Sequence, residues 1–204
     1  MTAVDLAPTE TDLALANGRA PHRTPYDPEA EQPEFLFEVI DGFVVRKTVG
    51  ANEIKLANTL NLHLAPFVVA QGLGRAYVEL GYELPGGGPR RKPDVSFLSE
   101  GRWPRSRPFP PGDFVPVVPE LAVEIVSPHE LASVMFSKGE QYFRAGVSAV
   151  WLVVPHTKRM YCFASPTDIR VLSPTDDLTG GPVVPGFRMP LTELFPPDLP
   201  AITP

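Results

Sequence analysis

Residues 119–128 read PELAVEIVSP, and this stretch decides the fold. Leu121, Val123 and Ile125 fall on one side of an extended chain and Ala122 and Val126 on the other, so both faces are apolar, as in a strand covered on its two sides. Downstream, the spacing predicts a helix over about 133–145 ended by Gly146, and SAVWLVV at 148–154 reads as a second buried strand. Strand, helix and strand make a β-α-β unit. One residue does not belong in it. Glu124 shares its face with Ala122 and Val126, where an unpaired carboxylate costs several kcal/mol or is forced to take a proton.

Upstream, FLFEVIDGFVVRKT at 35–48 places apolar residues on both sides of Asp41-Gly42, a dipeptide that tolerates the φ > 0 of a tight hairpin turn. Ile54, Leu56, Ala57, Leu60, Leu64, Phe67 and Val68 recur at helical spacing between 51 and 70, with Pro66 expected to kink or end the helix. His63 reads as a residue of its surface. RAYVELGYEL at 75–84 reads as a strand, PGGG as a turn and KPDVSFL at 92–98 as the returning strand. Residues 100–119 carry six prolines and form an extended loop. Beyond the β-α-β unit, 158–164 and 169–172 suggest an edge hairpin, followed by a short strand near Val183 and Val184. This order specifies an α/β fold with a mixed sheet flanked by helices. Residues 1–33, proline-rich and without apolar periodicity, read as a mobile arm before a single domain at 34–200.

Composition narrows the function. A net charge of -6 argues against a protein that coats nucleic acid through bulk electrostatics, so any such binding must be local. The densest basic run, Arg90, Arg91 and Lys92, lies just before Asp94, with Arg102, Arg105 and Arg107 beyond it. One cysteine, Cys162, cannot form an internal disulfide, and no charged-apolar-small leader opens the chain, which suits a cytoplasmic setting. No apolar run reaches the roughly 20 residues that span a bilayer. Ser127-Pro128-His129 lacks a Gly-x-Ser-x-Gly elbow, and the glycines at 86–88 are followed by no Gly-Lys-Ser/Thr, which removes serine-hydrolase and phosphate-loop readings.

Asp94 follows Pro93 and precedes Val95, Phe97 and Leu98, so it stands at the start of another apolar strand. Two carboxylates brought together in a sheet repel unless a cation separates them, and hard oxygen ligands suit Mg²⁺ or Mn²⁺. Such an ion keeps several waters, which leaves room for a phosphate oxygen and an attacking water. Lys138 lies on the helix after the Glu124 strand, where an ammonium can stabilise charge on a phosphoryl group, and Gln141 is its same-face neighbour at i+3.

In this order, FEVIDG at 37–42, RKPDVSFLSEGR at 91–102, PELAVEIVSP at 119–128 and KGEQYFRAGVSAVWLVVP at 138–155 resemble the Uma-two family of restriction endonuclease-like proteins, a branch of the PD-(D/E)XK superfamily. The resemblance implies that Asp94 and Glu124 are metal ligands joined by the Ile125 carbonyl, and that Lys138 is the catalytic lysine. In the wider superfamily that lysine lies two residues after the acid, where this chain has Val126, and Lys138 fills the migrated place. Glu38 is a second-tier candidate for another ion or a bound water. Val134 stands where relatives often carry an acid, and Val154 where many carry Asp.

The combined expectation is an Mg²⁺- or Mn²⁺-dependent endonuclease that hydrolyses phosphodiester bonds of nucleic acid, DNA in the first instance. Arg90, Arg91 and Lys92 are its candidate nucleic-acid contacts. Apolar residues between Phe109 and Val118 suggest a partner surface, and a homodimer is the natural way for such a fold to meet two strands. The alternative is a nuclease-like scaffold that no longer cuts and acts as a dimeric binding or regulatory module.

Overall fold

In the structure, a computed structural model, residues 24–86, 88–127 and 132–197 are described. A six-stranded sheet dominates. Its strands are β3 (Gly74–Val78), β6 (Val95–Ser99), β8 (Leu121–Ile125), β9 (Ala149–Val154), β10 (Arg159–Phe163) and β11 (Ile169–Leu172), in the spatial order β11-β10-β9-β8-β6-β3. Among the described strands of this sheet only β8 and β9 run parallel, because the helix between them, α2 (Ala132–Ala145), carries the chain back across one face. The expected β-α-β unit is therefore the centre of the sheet, and its outer end is the expected β10-β11 hairpin.

Period-two alternation in β8 separates two cores. Leu121, Val123 and Ile125 join Val95, Phe97, Trp151 and Val153 on one face, and there they meet α1 (Ala51–Ala70) through Leu56, Ala57, Leu60, Leu64 and Val68. Ala122 joins Val150 and Leu152 on the other face, beneath Tyr142 of α2. α1 does not stop at Pro66 but continues to Ala70. Pro66 is on the exposed side, where its ring is accommodated and the carbonyl it frees can meet water.

A second, five-stranded sheet contains β1 (Phe37–Ile40), β2 (Phe43–Arg46), β4 (Gly81–Glu83), β5 (Arg90–Arg91) and β7 (Phe114–Val115), in the order β2-β1-β5-β4-β7. The β1-β2 hairpin turns at Asp41 and Gly42, both with positive φ (52° and 80°). The single strand expected over 75–84 is instead two strands in two sheets. The break falls at Glu79, in the left-handed region at φ 53°. Pairing nonetheless continues in one register, from Val78 opposite Val95 in the large sheet to Tyr82 opposite Arg91 in the smaller one. On the partner strand the corner falls at Pro93, whose missing N–H cannot extend a ladder.

Other differences from expectation also have local causes. The expected arm divides: residues 1–23 lie outside those described, but Thr24 accepts a backbone bond from Val44, Pro25 bridges Phe43, and Tyr26 packs on Phe37 and Phe114. An aromatic that covers a sheet edge anchors the segment despite its polar composition. Near the C-terminus, Val183 and Val184 lie in a turn. The strands are β12 (Asp177–Thr179) and β13 (Arg188–Pro190) on either side of it, followed by α3 (Leu191–Leu194). The Phe109–Val118 segment offers little free apolar surface, because Phe114 and Val115 are buried as β7 and Phe109 packs on Tyr77 and Trp103.

Arg102, one of the basic residues beyond Asp94, is structural. It donates to the carbonyls of Val118 and Pro119 at 2.9 and 3.0 Å and of Gly146 at 3.1 Å, and it pairs with Glu120 at 3.1 Å. These bonds fasten the proline-rich loop to the turn between α2 and β9. Arg102→Ala is expected to lower unfolding stability by about 1–2 kcal/mol, the value of a partly exposed set of charge-assisted bonds. Denaturant titration checks it, and an unchanged midpoint contradicts the assignment.

Candidate active site

The corner between the two sheets is also where the carboxylates meet. β6 pairs with β8 so that Val95 lies opposite Val123, and one step along this ladder Asp94 falls opposite Glu124. Residues directly opposite one another project to the same face, which here is the side of Ala122 and α2. Both carboxylates are 4 % exposed. They line a half-open cleft of about 800 Å³ with Glu38, Lys47, Arg91, Ile125, Lys138 and Gln141.

Glu124 meets the requirement for a partner twice over. The Tyr142 hydroxyl donates to its Oε1 at 2.6 Å, and Lys138 Nζ lies 3.3 Å from Oε2. Tyr142 and Lys138 are four residues apart on α2 and so share the helix face turned to the sheet. Burial alone would raise the Glu124 carboxyl, yet Lys138, Lys47, the Tyr142 hydroxyl and Arg91 outweigh it and hold the group below the usual range. The cost falls on Tyr142, whose hydroxyl is pushed well above its ordinary value by burial and by the carboxylate it serves.

Asp94 is held differently. Its Oδ2 accepts the Ile125 backbone N–H at 2.5 Å, which ties it to β8, and its Oδ1 pairs with Lys47 Nζ at 2.7 Å. Burial pushes the Asp94 carboxyl up, Lys47 only partly offsets this, and neighbouring Glu124 adds to the rise. The two carboxylates are thus shifted in opposite directions by their surroundings.

Across the cleft, Arg91 joins the two sheets. Its Nη1 donates to Glu38 Oε2 on β1 at 2.7 Å and its Nη2 to Gln141 Oε1 on α2. Glu38 Oε1 accepts the Lys92 backbone N–H at 3.1 Å, so both Glu38 oxygens already have protein donors. Arg91 Nε is buried without an acceptor among the described residues. Of the basic run, only Arg91 lines this cleft. Arg90 pairs with Glu83 at 2.6 Å and lies over the Tyr26 ring, and Lys92 is buried with its ammonium over Phe37 and Phe114. Alternation along the chain sends 90 and 92 to one side and 91 to the other.

The structure therefore gathers Asp94, Glu124, Ile125, Lys138, Glu38, Gln141 and Arg91 into one cleft and leaves Arg90 and Lys92 outside it. Pro128 and His129 lie outside the described residues. Lys47 and Glu53, which line the cleft, and Tyr142, which bonds Glu124, are additions. Tyr142 stands among apolar residues of an amphipathic helix, where a ring reads as core. Lys47 sits beside Arg46 at the end of a hairpin, where a charged pair reads as solvated.

The donor set fits a hard divalent cation. Each carboxylate oxygen has two acceptor sites, and each carries one protein donor here. Mg²⁺ is commonly bound through one or two carboxylates with water completing its shell, so a dedicated cage of three or more acidic side chains is not required. Among the described residues no such cage is present.

Comparisons with known proteins agree on the fold. The solved structure described as a "putative nuclease belonging to DUF820" from Anabaena variabilis aligns with a TM-score of 0.71, covering 82% of this chain and 93% of that one at 18% sequence identity. At that identity the likeness speaks for the fold alone. No curated protein matches the sequence. A family profile described as "Putative restriction endonuclease" matches residues 22–192, a span that includes every residue of the cleft named above, and the chain belongs to that family, Uma2.

Proposed function

We propose that this protein is a divalent-cation-dependent endonuclease that hydrolyses phosphodiester bonds, with DNA as its first substrate. The observation that carries the reading is the placement of Asp94 opposite Glu124 on adjacent strands of a covered sheet, both open to a cleft that also contains Lys138 and Arg91. A fold maintained for packing alone gains nothing from two such carboxylates, since each must be offset by a buried cation or hydroxyl.

Asp94, Glu124 and the Ile125 carbonyl would hold Mg²⁺ or Mn²⁺. Such an ion supplies Lewis acidity toward a phosphoryl oxygen and makes a water more acidic. The residues of the chain do the rest. Tyr142 fixes the Glu124 carboxylate in one rotamer, and the Ile125 N–H does the same for Asp94. Lys138 presents its ammonium at the same edge, where it offsets charge that grows on the phosphoryl oxygens. Arg91, positioned by Glu38 and Gln141, adds a second cation for the phosphate backbone.

The balance of charge along the cleft supports the need for an ion. Among the described residues, four cations line it, Arg46, Lys47, Arg91 and Lys138, against five carboxylates, Glu38, Asp41, Glu53, Asp94 and Glu124. On its own that lining repels a phosphodiester, and one divalent charge reverses the sign.

Calorimetric titration with Mn²⁺ is expected to show binding that Asp94→Asn and Glu124→Gln abolish, with a rise in melting temperature as the ion saturates the folded state. Plasmid and single-stranded DNA are expected to be cut in Mn²⁺ but not in EDTA. Asp94→Asn and Lys138→Ala should each slow cleavage on the order of 100-fold or more. Cutting that persists in both variants assigns the activity to another site. Mn²⁺ binding without cutting of any substrate favours the alternative, a silent binding module.

Arg91→Ala separates substrate binding from ion binding. It is expected to weaken DNA association in Ca²⁺, measured by fluorescence anisotropy, by roughly tenfold. Arg90→Ala, on the far side of the strand, should leave it unchanged. Equal losses in the two variants would contradict the assigned faces.

A further inference from the structure

Lys47 stands out because nothing in the proposed chemistry uses it, although it touches Asp94 directly. The Lys47 side chain is 11% exposed, and three acceptors surround its ammonium: Asp94 Oδ1 at 2.7 Å, Glu79 Oε2 at 2.8 Å and the Lys92 carbonyl at 2.5 Å. A lysine has three donors, and all three are engaged. It therefore has none left for a phosphate, unlike a residue that waits for substrate.

The surroundings are built to keep it charged. Burial alone would favour the neutral amine, yet Asp94, Glu124 and Glu79 outweigh burial and raise its affinity for the proton. Glu79 contributes at a conformational cost. It holds φ 53° at the corner between the sheets, a left-handed conformation that a side chain larger than Gly adopts at about 1 kcal/mol or more. The β6-β8 ladder places Asp94 beside Glu124, the β3-β6 ladder continued by one step places it opposite Glu79, and the Glu79 N–H donates to the Asp94 carbonyl at 3.3 Å. Lys47 bridges that second pair.

We propose that Lys47 is a built-in competitor for the cation site: its ammonium pairs with Asp94 Oδ1 in the metal-free protein, and its charge opposes a divalent cation at the same carboxylate until the ammonium moves away. Lys47 thereby sets the cation concentration at which the cleft becomes competent. Glu79 and the Lys92 carbonyl retain the ammonium once Asp94 is released, so the exchange leaves no buried charge unpaired. The proposal rests on Asp94 and Glu124 being the cation ligands. It makes Lys47 a positioning residue.

The test is calorimetric titration of the full chain with Mn²⁺ alone, with no substrate present. Lys47→Met removes the competing charge at nearly constant side-chain length. Lys47→Met/Glu79→Gln removes the charge with one of its carboxylates, which protects folding if the single variant is too acidic to fold. Either variant is expected to bind Mn²⁺ at least about tenfold more tightly than the parent chain, given a unit charge within a few ångströms of the site. Lys47→Arg, which keeps the charge, should restore the weaker binding. In EDTA, Lys47→Met should melt below the parent and regain the difference as Mn²⁺ is added.

Equal or weaker Mn²⁺ binding in the double variant, with the parent still binding, overturns the proposal and leaves the cation-site reading intact. Absence of Mn²⁺ binding in parent and variants alike overturns both.

Discussion

The register between β6 and β8 is the constraint on which the rest of this molecule depends. With Val95 opposite Val123, the next position along the ladder sets Asp94 beside Glu124 on a face covered by α2. A slip of one residue between the two strands would put Asp94 and Glu124 on opposite faces, one of them among Phe97, Trp151 and Leu60. The apolar alternation that fixes the core thus also fixes the carboxylate pair. The bond from the Ile125 N–H to Asp94 continues strand pairing through a side chain where the ladder ends.

Four buried carboxylate oxygens then dictate what surrounds them. Tyr142 and Lys138 come from α2, which follows β8 directly, so a local connection brings them in. Lys47 comes from the end of the first hairpin and Arg91 from the second sheet, so those partners exist only because the β3-β4 and β5-β6 segments bend from one sheet to the other. Glu79 and Pro93 make that bend, one through a left-handed backbone and the other through a missing donor. The smaller sheet, with the residue that follows its β2, is the wall that supplies Arg46, Lys47 and Arg91 to the cleft.

This division explains what could be read from sequence. Glu124 was legible because a carboxylate inside LAVEIV demands compensation wherever that strand lies, and Asp94 because the same anomaly recurs beside Pro93. Lys138 is placed only by the family resemblance, and Gln141 follows from it as the same-face neighbour at i+3 on α2. Lys47 was not legible, since its partner lies 47 positions away and its own neighbourhood, Val45-Arg46-Lys47-Thr48, resembles any solvated strand end. Arg90 and Lys92 show the converse. They are adjacent to Arg91 in sequence, but strand alternation gives them aromatic and acidic neighbours of their own. The split of 75–84 into two strands was hidden for a similar reason, because a single left-handed residue changes the sheet without changing the apolar pattern.

A protein that keeps two lysines against two acids has a cleft near electrical balance at its centre, and that balance decides how it can be used. If Lys47 and Lys138 were both absent, Asp94 and Glu124 could not remain ionised side by side behind a covered sheet, and one would take a proton. If both cations held their carboxylates with buried, fully satisfied geometry, an incoming ion would find no available oxygen. The two lysines differ in the direction that avoids both failures. Lys138 stands 3.3 Å from Glu124, a longer approach than the 2.7 Å between Lys47 and Asp94. Exchange is therefore easier at Glu124, with its donated hydroxyl bond from Tyr142 already holding the carboxylate in place. On the proposed reading, Glu124 would be the carboxylate that offers an oxygen to a cation more readily, and Asp94 the one whose native pair with Lys47 has to be given up.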